Sequence, residues 1–273
     1  MFERFVLGLE NIPSFYRALI LAGGITLFWL IESAFPLFNL KYNKWRHAGT
    51  NIFFTVTTII VNFAFALLIV LASRYSIKHS IGVLQWIQLP LWVQLLVGLL
   101  LLDLIGAYLI HFIQHKVKWM WKFHMIHHAD TCIDTTSANR HHPVESVFRA
   151  VFTLLAVLVS GSPMWLVMVY QSLSVLLSQF NHANVRLPFW LDNILAFVIV
   201  SPNMHKVHHH YKRPETDTNY GNIFSFWDRI FRTYRFVPVD QLKYGLDVLE
   251  GRNDNSLKEQ LMMPFDASVK TGR

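Results

Sequence analysis

Residues 52–72 run for a full membrane thickness without a charge, and two further stretches, 18–38 and 91–113, are each interrupted by a single acid, Glu32 and Asp103. A helix of about 20 apolar residues crosses a hydrocarbon core of roughly 30 Å, so each stretch predicts one crossing. Composition agrees, with 53% apolar residues, only 15% charged residues and a mean hydropathy of +0.34. A fourth stretch, 150–180, is too long for one span and carries Gly161-Ser162-Pro163 near its middle. Glycine followed by Ser-Pro breaks a helix, which predicts two shorter helices in a hairpin. Residues 187–201, short and containing Asp192, read as a helix lying in the membrane interface. The expectation is an all-α integral membrane protein with about four transmembrane helices, either three spans with a hairpin or a span-plus-hairpin arrangement. A histidine-rich helical cap drawn from 114–149 and 183–240 completes it. Residues 1–273 read as a single domain with a polar, partly ordered tail after about Asp240. Residues 1–13 lack the basic region and cleavage site of a signal peptide.

In this arrangement 20 of the 24 Lys and Arg residues, those of 39–51, 114–149 and 183–273, share one side of the membrane. The positive-inside rule makes that side cytoplasmic and places the N-terminus outside. The net charge of +7 is then accounted for by anionic headgroups, and no nucleic-acid partner is implied. Cys132 is the only cysteine, which excludes an internal disulfide, a thiolate zinc site and a cysteine-ligated iron–sulfur cluster.

Twelve of the 14 histidines fall between residues 111 and 210. They recur as His111-x3-His115, His124-x2-His127-His128, a lone His182, and His205-x2-His208-His209. Imidazoles at i, i+3 and i+4 lie on one helix face, so each box is expected to close on one ion, and so many rings need two ions. The hairpin at 161–163 returns His182 and His205 to the side of His111 and His115. Neutral imidazole suits iron, copper and zinc. His47 and His79 stand alone and are set aside. His210 points away from His209 on a helix and reads as an outer contact or surface residue, while either His141 or His142, just before Pro143, is a ligand or a cap. Asp130, Glu145, Asp217 and Asp228 are candidates to orient the rings through their second nitrogens. Asp103 lies about 12 Å along the axis from His111, too far to touch that ring. It reads as a structural partner for a polar group such as Asn62, and Glu32 invites a similar reading. Phe112, Trp119, Trp121 and Phe180 are candidates to line a lipid entrance on the membrane side of the cap, or to serve as interfacial belt residues.

Two other classes compete. A zinc hydrolase would use three or four ligands and leave most of these rings idle, and the first box, His111-Phe112-Ile113-Gln114-His115, lacks the general-base glutamate of a His-Glu-x-x-His motif. A metal or proton transporter would carry its histidines through the membrane instead of collecting them at one face.

The order Asp103-x4-Tyr108-x2-His111-x3-His115, Trp121-x2-His124-x2-His127-His128, Arg140-His141-His142-Pro143-x-Glu145 and Asn203-x-His205-x2-His208-His209 resembles the fatty acid hydroxylase/sterol desaturase superfamily. So does Thr218-Asn219-Tyr220-Gly221-Asn222 followed by Phe226-Trp227-Asp228-Arg229-Ile230-Phe231, and the likeness covers about 95–236. The resemblance implies a four-helix-type membrane fold capped by two irons, with dioxygen as oxidant and hydroxylation or desaturation of a lipid drawn from the bilayer. Carried over by position, the implied metal ligands are His111, His115, His124, His127, His128, His182, His205, His208 and His209, with all but His182 also counted as catalytic. Ser178 stands one turn before His182, where some members place a further histidine. Lys116 stands where the alkylglycerol-monooxygenase-like branch has an acid. No haem, flavin or pyridine-nucleotide motif is present, so electrons are expected from another protein or a diffusible reductant.

Overall fold

The computed structural model describes residues 14–252 and 256–271, so the reading of residues 1–13 falls outside it. Among the described residues the regular structure is helical, and the only β pairing consists of isolated bridges, Pro36 with Val185 and Ile199 with Phe224. The main elements are α1 (Ser14–Ala34), α2 (Lys44–Lys78), α3 (Leu91–Lys116), α4 (Lys118–His128), α5 (Pro143–Ser160), α6 (Met164–His182), α7 (Phe189–Val198) and α8 (Pro202–His208). Three segments are long and apolar enough to cross a membrane: Lys44–Trp86, Leu91–Lys116 and Pro143–Ser160. Their outward faces are apolar, as Ile52, Val56, Ile60, Phe63 and Leu67 on α2 and Val147, Val151, Leu155 and Val159 on α5 illustrate. Such a surface is stable against lipid and not against water, and the chain is a membrane protein.

The break within 150–180 follows the sequence chemistry. α5 ends at Ser160, Gly161 takes the left-handed conformation at φ +67°, and Pro163 precedes the first turn of α6. The backbone of Gly161 abuts that of Gly82. Ser73 Oγ donates to Ser162 O at 2.8 Å and Gln85 Nε2 to Gly161 O at 2.7 Å, locking this end of the bundle. α5 packs mainly on α2 and α3, whereas α6 packs on α1 and α3, so α3 stands between the two arms. Leu102, Ala156, Val157, Trp165, Leu166 and Tyr170 form the core they share.

α3 is not a regular helix. Residues Leu104–Leu109 form a π-helical turn, whose i→i+5 bonding aligns residues five apart. Asp103 and Tyr108 therefore reach the same C-terminal segment. Asp103 accepts from Ile223 N and Phe224 N at 3.2 Å each and from Trp227 Nε1 at 3.0 Å, and Tyr108 OH lies 2.8 Å from Thr233 Oγ1. This corrects the expected pairing with Asn62, which is exposed. Glu32 likewise finds backbone donors, Thr135 N at 3.1 Å and Asn184 N at 2.9 Å.

Three further expectations are corrected. The 39–51 loop is shorter than expected, because Asn43 Oδ1 accepts from Arg46 N at 3.0 Å and starts α2 at Lys44. The tail after Asp240 is part of the fold: Leu246, Leu249, Met263 and Val269 pack with Phe54, Met125 and Trp121 in a second core beneath α4. Trp121, expected at the lipid entrance or in the belt, is buried there, and its Nε1 donates to Thr271 O at 3.1 Å.

Candidate metal centre

The ends of α3, α4, α6 and α8 converge opposite the Gly82–Gly161 junction, each for a local reason. A single residue, Val117, separates α3 from α4 and folds His124 back over His111. Ser201 Oγ caps α8 by accepting from Met204 N at 3.3 Å, with Pro202 in its first turn. The result is two buried all-histidine groups. His111, His115, His124, His128 and His208 form one, and His127, His182, His205 and His209 form the other. Within each group the available ligand atoms lie within 4.8 Å of one another.

The second and third boxes do not each close on one ion. Their i, i+4 pairs stay together, His124 with His128 and His205 with His209, while His127 and His208 cross to the other group. Adjacent residues on a helix point about 100° apart, so neighbouring rings of α4 and of α8 serve two separate centres. The groups lie side by side, with the His128 and His209 rings stacked at 4.6 Å.

The donor chemistry fits a cation in each group. His111 Nδ1 faces Tyr220 O at 2.8 Å, His124 Nδ1 faces Glu145 Oε1 at 2.8 Å, and His115 Nδ1 faces Asp217 Oδ1 at 3.1 Å. His208 Nδ1 faces Thr218 O at 2.8 Å, and His182 Nδ1 faces Ser178 O at 2.7 Å. These acceptors hold the proton on Nδ1 and leave Nε2 bare. The bare nitrogens of His111 and His124 point at each other, their Nε2 atoms 3.1 Å apart, and His182 Nε2 faces His127 Nε2 at the same distance. Inward-facing lone pairs at that distance repel unless a cation lies among them. Burial, reinforced by neighbouring imidazoles, holds His124, His127, His128, His205 and His209 well below the usual histidine range, so these rings are neutral donors. Support is thinner in the second group: among the described residues the Nδ1 atoms of His127, His205 and His209 have no hydrogen-bond partner, against that of His128 alone in the first.

Of the candidate orienting acids, Glu145 and Asp217 touch ligand-candidate rings directly. Asp228 acts one step further out, accepting from Tyr220 N at 2.8 Å and Gly221 N at 2.9 Å and so holding the loop whose carbonyl meets His111. Asp130 binds His47 instead, at 2.9 Å from Nε2, with His47 Nδ1 at 3.2 Å from Asp134. His47, set aside in the sequence, is thus buried between two carboxylates, with Tyr42 OH donating to Asp134 at 2.6 Å and Arg140 Nη1 donating to Asn51 Oδ1 at 3.0 Å. Burial alone would raise the Asp130 carboxyl, yet His47 and Arg140 beside it drive it below the usual carboxylate range. No short-range signal marks His47, since its partner lies 83 positions away. Lys206 was also missed. It is buried between the ring-bearing positions of α8, donates to Ala183 O at 2.6 Å, and is lowered by burial to about 7.

His142 is a cap, its Nδ1 accepting from Val144 N at 3.2 Å, and the His141 ring lies 5.1 Å from that of His127, outside both groups. His210 accepts from Lys243 N at 3.3 Å near the surface, and His79 caps the end of α2. Phe112 packs on Tyr220, Phe180 on Phe28, and Trp119 is exposed.

A fatty acid hydroxylase family model matches residues 95–233, the stretch that carries both histidine groups. The chain belongs to the fatty acid hydroxylase family. Ornithine lipid hydroxylase OlsE of Rhizobium tropici is 24% identical over 182 residues, which cover 66% of this chain and 52% of that protein. Alkylglycerol monooxygenase of Homo sapiens is 27% identical over 144 residues, 52% of this chain and 30% of that protein. A cholesterol 25-hydroxylase-like protein of Danio rerio is 26% identical over 127 residues, 46% of this chain and 49% of that protein. The chain therefore spans between about a third and a half of these relatives' lengths. No solved structure matches it.

Proposed function

We propose that this family member is a membrane-bound di-iron oxygenase that hydroxylates a lipid with dioxygen, residues 1–273 forming one membrane domain. The observation that carries the reading is the pair of buried, all-imidazole groups with Nε2 atoms turned inward. His111, His115, His124, His128 and His208 would hold one iron, and His127, His182, His205 and His209 the other. Two bound irons supply the one-electron oxygen chemistry that breaking an unactivated C–H bond requires and that side chains lack. Glu145, Asp217 and the carbonyls of Tyr220, Thr218 and Ser178 keep the ring protons on Nδ1 and fix the ring planes. The apolar seams between the helices exclude water and admit a lipid chain sideways, with Phe112 and Phe180 near the entrance.

The named relatives are hydroxylases or monooxygenases, which supports hydroxylation over desaturation. Collection of the histidines at one end of the bundle disfavours a transporter, and nine inward rings exceed what a zinc hydrolase uses. The basic residues clustered on that end support a cytoplasmic orientation, where an external protein or diffusible reductant delivers electrons. The test is metal analysis together with reductant-dependent oxygen uptake on purified protein. The reading expects about two irons per chain and uptake that disappears in His127→Ala and His208→Ala variants. Full activity with a single zinc sinks it. Cysteine labelling that puts residues 118 and 240 on opposite faces overturns the orientation.

A further inference from the structure

Arg149 is a cation set in the apolar part of this chain. It lies in the second turn of α5, inside a membrane-crossing segment, where an ionic side chain is costly and takes a partner. On a helix it sits about 40° from Glu145 and about 20° from Ala156. That is the buried arc of α5, which also holds Ser160, and it lies opposite Val147, Val151 and Leu155. The guanidinium therefore turns toward the bundle and not out to the lipid. Even so, its side chain remains 25% exposed, whereas Glu145 one turn earlier is fully covered. The guanidinium is therefore reachable from outside the helix bundle at this depth.

The partner it has is a poor one. The nearest carboxylate atom, Glu145 Oε1, is 3.9 Å from Arg149 Nη1, beyond hydrogen-bond reach. That oxygen is already taken by His124 Nδ1 at 2.8 Å, and His141 Nε2 stands 3.8 Å away. Glu145 Oε2 accepts no hydrogen bond, and the buried Gln114 amide lies beside Glu145 without closing one of normal length. Among the described residues no hydrogen bond satisfies this planar fork, whose five donors are partly exposed beside the first histidine group. The charge reaches the site: after burial, Arg149 is the next cause that holds the His141 ring below its usual range.

We propose that Arg149 is the anchor for an anionic oxygen group, carboxylate or phosphate, at the polar end of an acyl lipid that enters alongside α5. It makes this member selective for acidic lipids. The inference rests on the oxygenase reading for what happens to the lipid next, but not for the binding itself. A planar, bidentate acceptor satisfies the guanidinium fork, and the same anchor holds the lipid's first carbons at the rim of the histidine groups, because Arg149 and His124 meet the same glutamate oxygen.

The experiment is native mass spectrometry of the detergent-purified, metal-loaded full chain with three probes: palmitate, dipalmitoyl phosphatidate and methyl palmitate as the neutral control. Iron per chain is measured on the same samples. Wild type is expected to retain palmitate or phosphatidate about tenfold or more tightly than the methyl ester. Whichever anion prevails identifies the source of the acidic group. Arg149→Met is expected to bring that ratio to about one with iron unchanged. Arg149→Lys, a point charge without the fork, is expected to keep part of it. A wild type without preference overturns the proposal, and so does an Arg149→Met variant that keeps the preference. Parallel loss of iron and of all three probes in both variants also overturns it, since the arginine would then serve only the fold. If the preference behaves as expected while wild type consumes no oxygen, the anchor stands and the oxygenase reading fails.

Discussion

Removing the Glu145 carboxylate tests whether the rings are oriented from outside, as the geometry requires. Glu145 Oε1 takes the Nδ1 proton of His124 at 2.8 Å, both side chains are buried, and nothing else is placed to accept that proton. A hydrogen bond to a charged partner contributes about 1.5–3 kcal/mol, and each 1.4 kcal/mol is tenfold in a binding constant. In Glu145→Ala the ring is free to turn or change tautomer, so metal affinity at the first group should fall about 10- to 100-fold, the range seen when such outer partners are lost. His124 belongs to only one of the two groups, so the effect should be confined to about half of the bound metal. Chelator titration of the purified protein reads this directly, as a two-step release in which one step moves and the other stays. Glu145→Gln keeps an acceptor oxygen but loses the charge, so its shift should be smaller than that of the alanine variant. Wild-type affinity at both steps in Glu145→Ala would refute the reasoning, because the ring would then be fixed by packing alone.

His47→Ala strands Asp130 and Asp134 in a buried pocket, and the penalty for an uncompensated buried charge predicts a loss of about 3–5 kcal/mol, read as a lowered Tm in detergent. The metal-free protein should lose stability as pH falls below 6.5. In the folded state the His124, His127, His128, His205 and His209 rings stay neutral, while in the unfolded chain they take up protons at their ordinary pKa. Each contributes up to about 1.4 kcal/mol per pH unit, so a flat Tm between pH 8 and pH 5 would contradict the depressed pKa values. Gly161→Ala should cut the yield of folded protein, since φ is +67° and the new Cβ would lie 2.6 Å from Ile81 O, and size-exclusion profiles in detergent would show it.

What could be read from the sequence was whatever depends on short spacing. Uninterrupted apolar runs mark the spans, Gly161-Ser162-Pro163 marks the break, and i, i+4 histidines mark the boxes. The distribution of the rings between two centres was harder to see. It depends on which helix faces which, and the 100° step from His127 to His128 acquires meaning only when α6 and α8 stand on one side and α3 on the other. The supports were hidden for a different reason. Asp103 is satisfied by backbone donors 120 and 121 residues downstream, and His47 by an acid 83 residues away, so neither has a local pattern. In the tail, Leu246, Leu249, Met263 and Val269 are too sparse to show a period, yet they close a core against α4.

The division of the rings also sets an order in time. Four of the five imidazoles in the first group lie within residues 111–128, so they emerge from the ribosome together, well before His208. The second group has only His127 at that stage and must wait for His182, His205 and His209. A chain arrested after residue 160 would therefore present one nearly complete nest of nitrogens and one stray ring. Synthesis order thus gives the first group most of its rings before α6 and α8 exist, and leaves the second to be assembled almost wholly from the last helices.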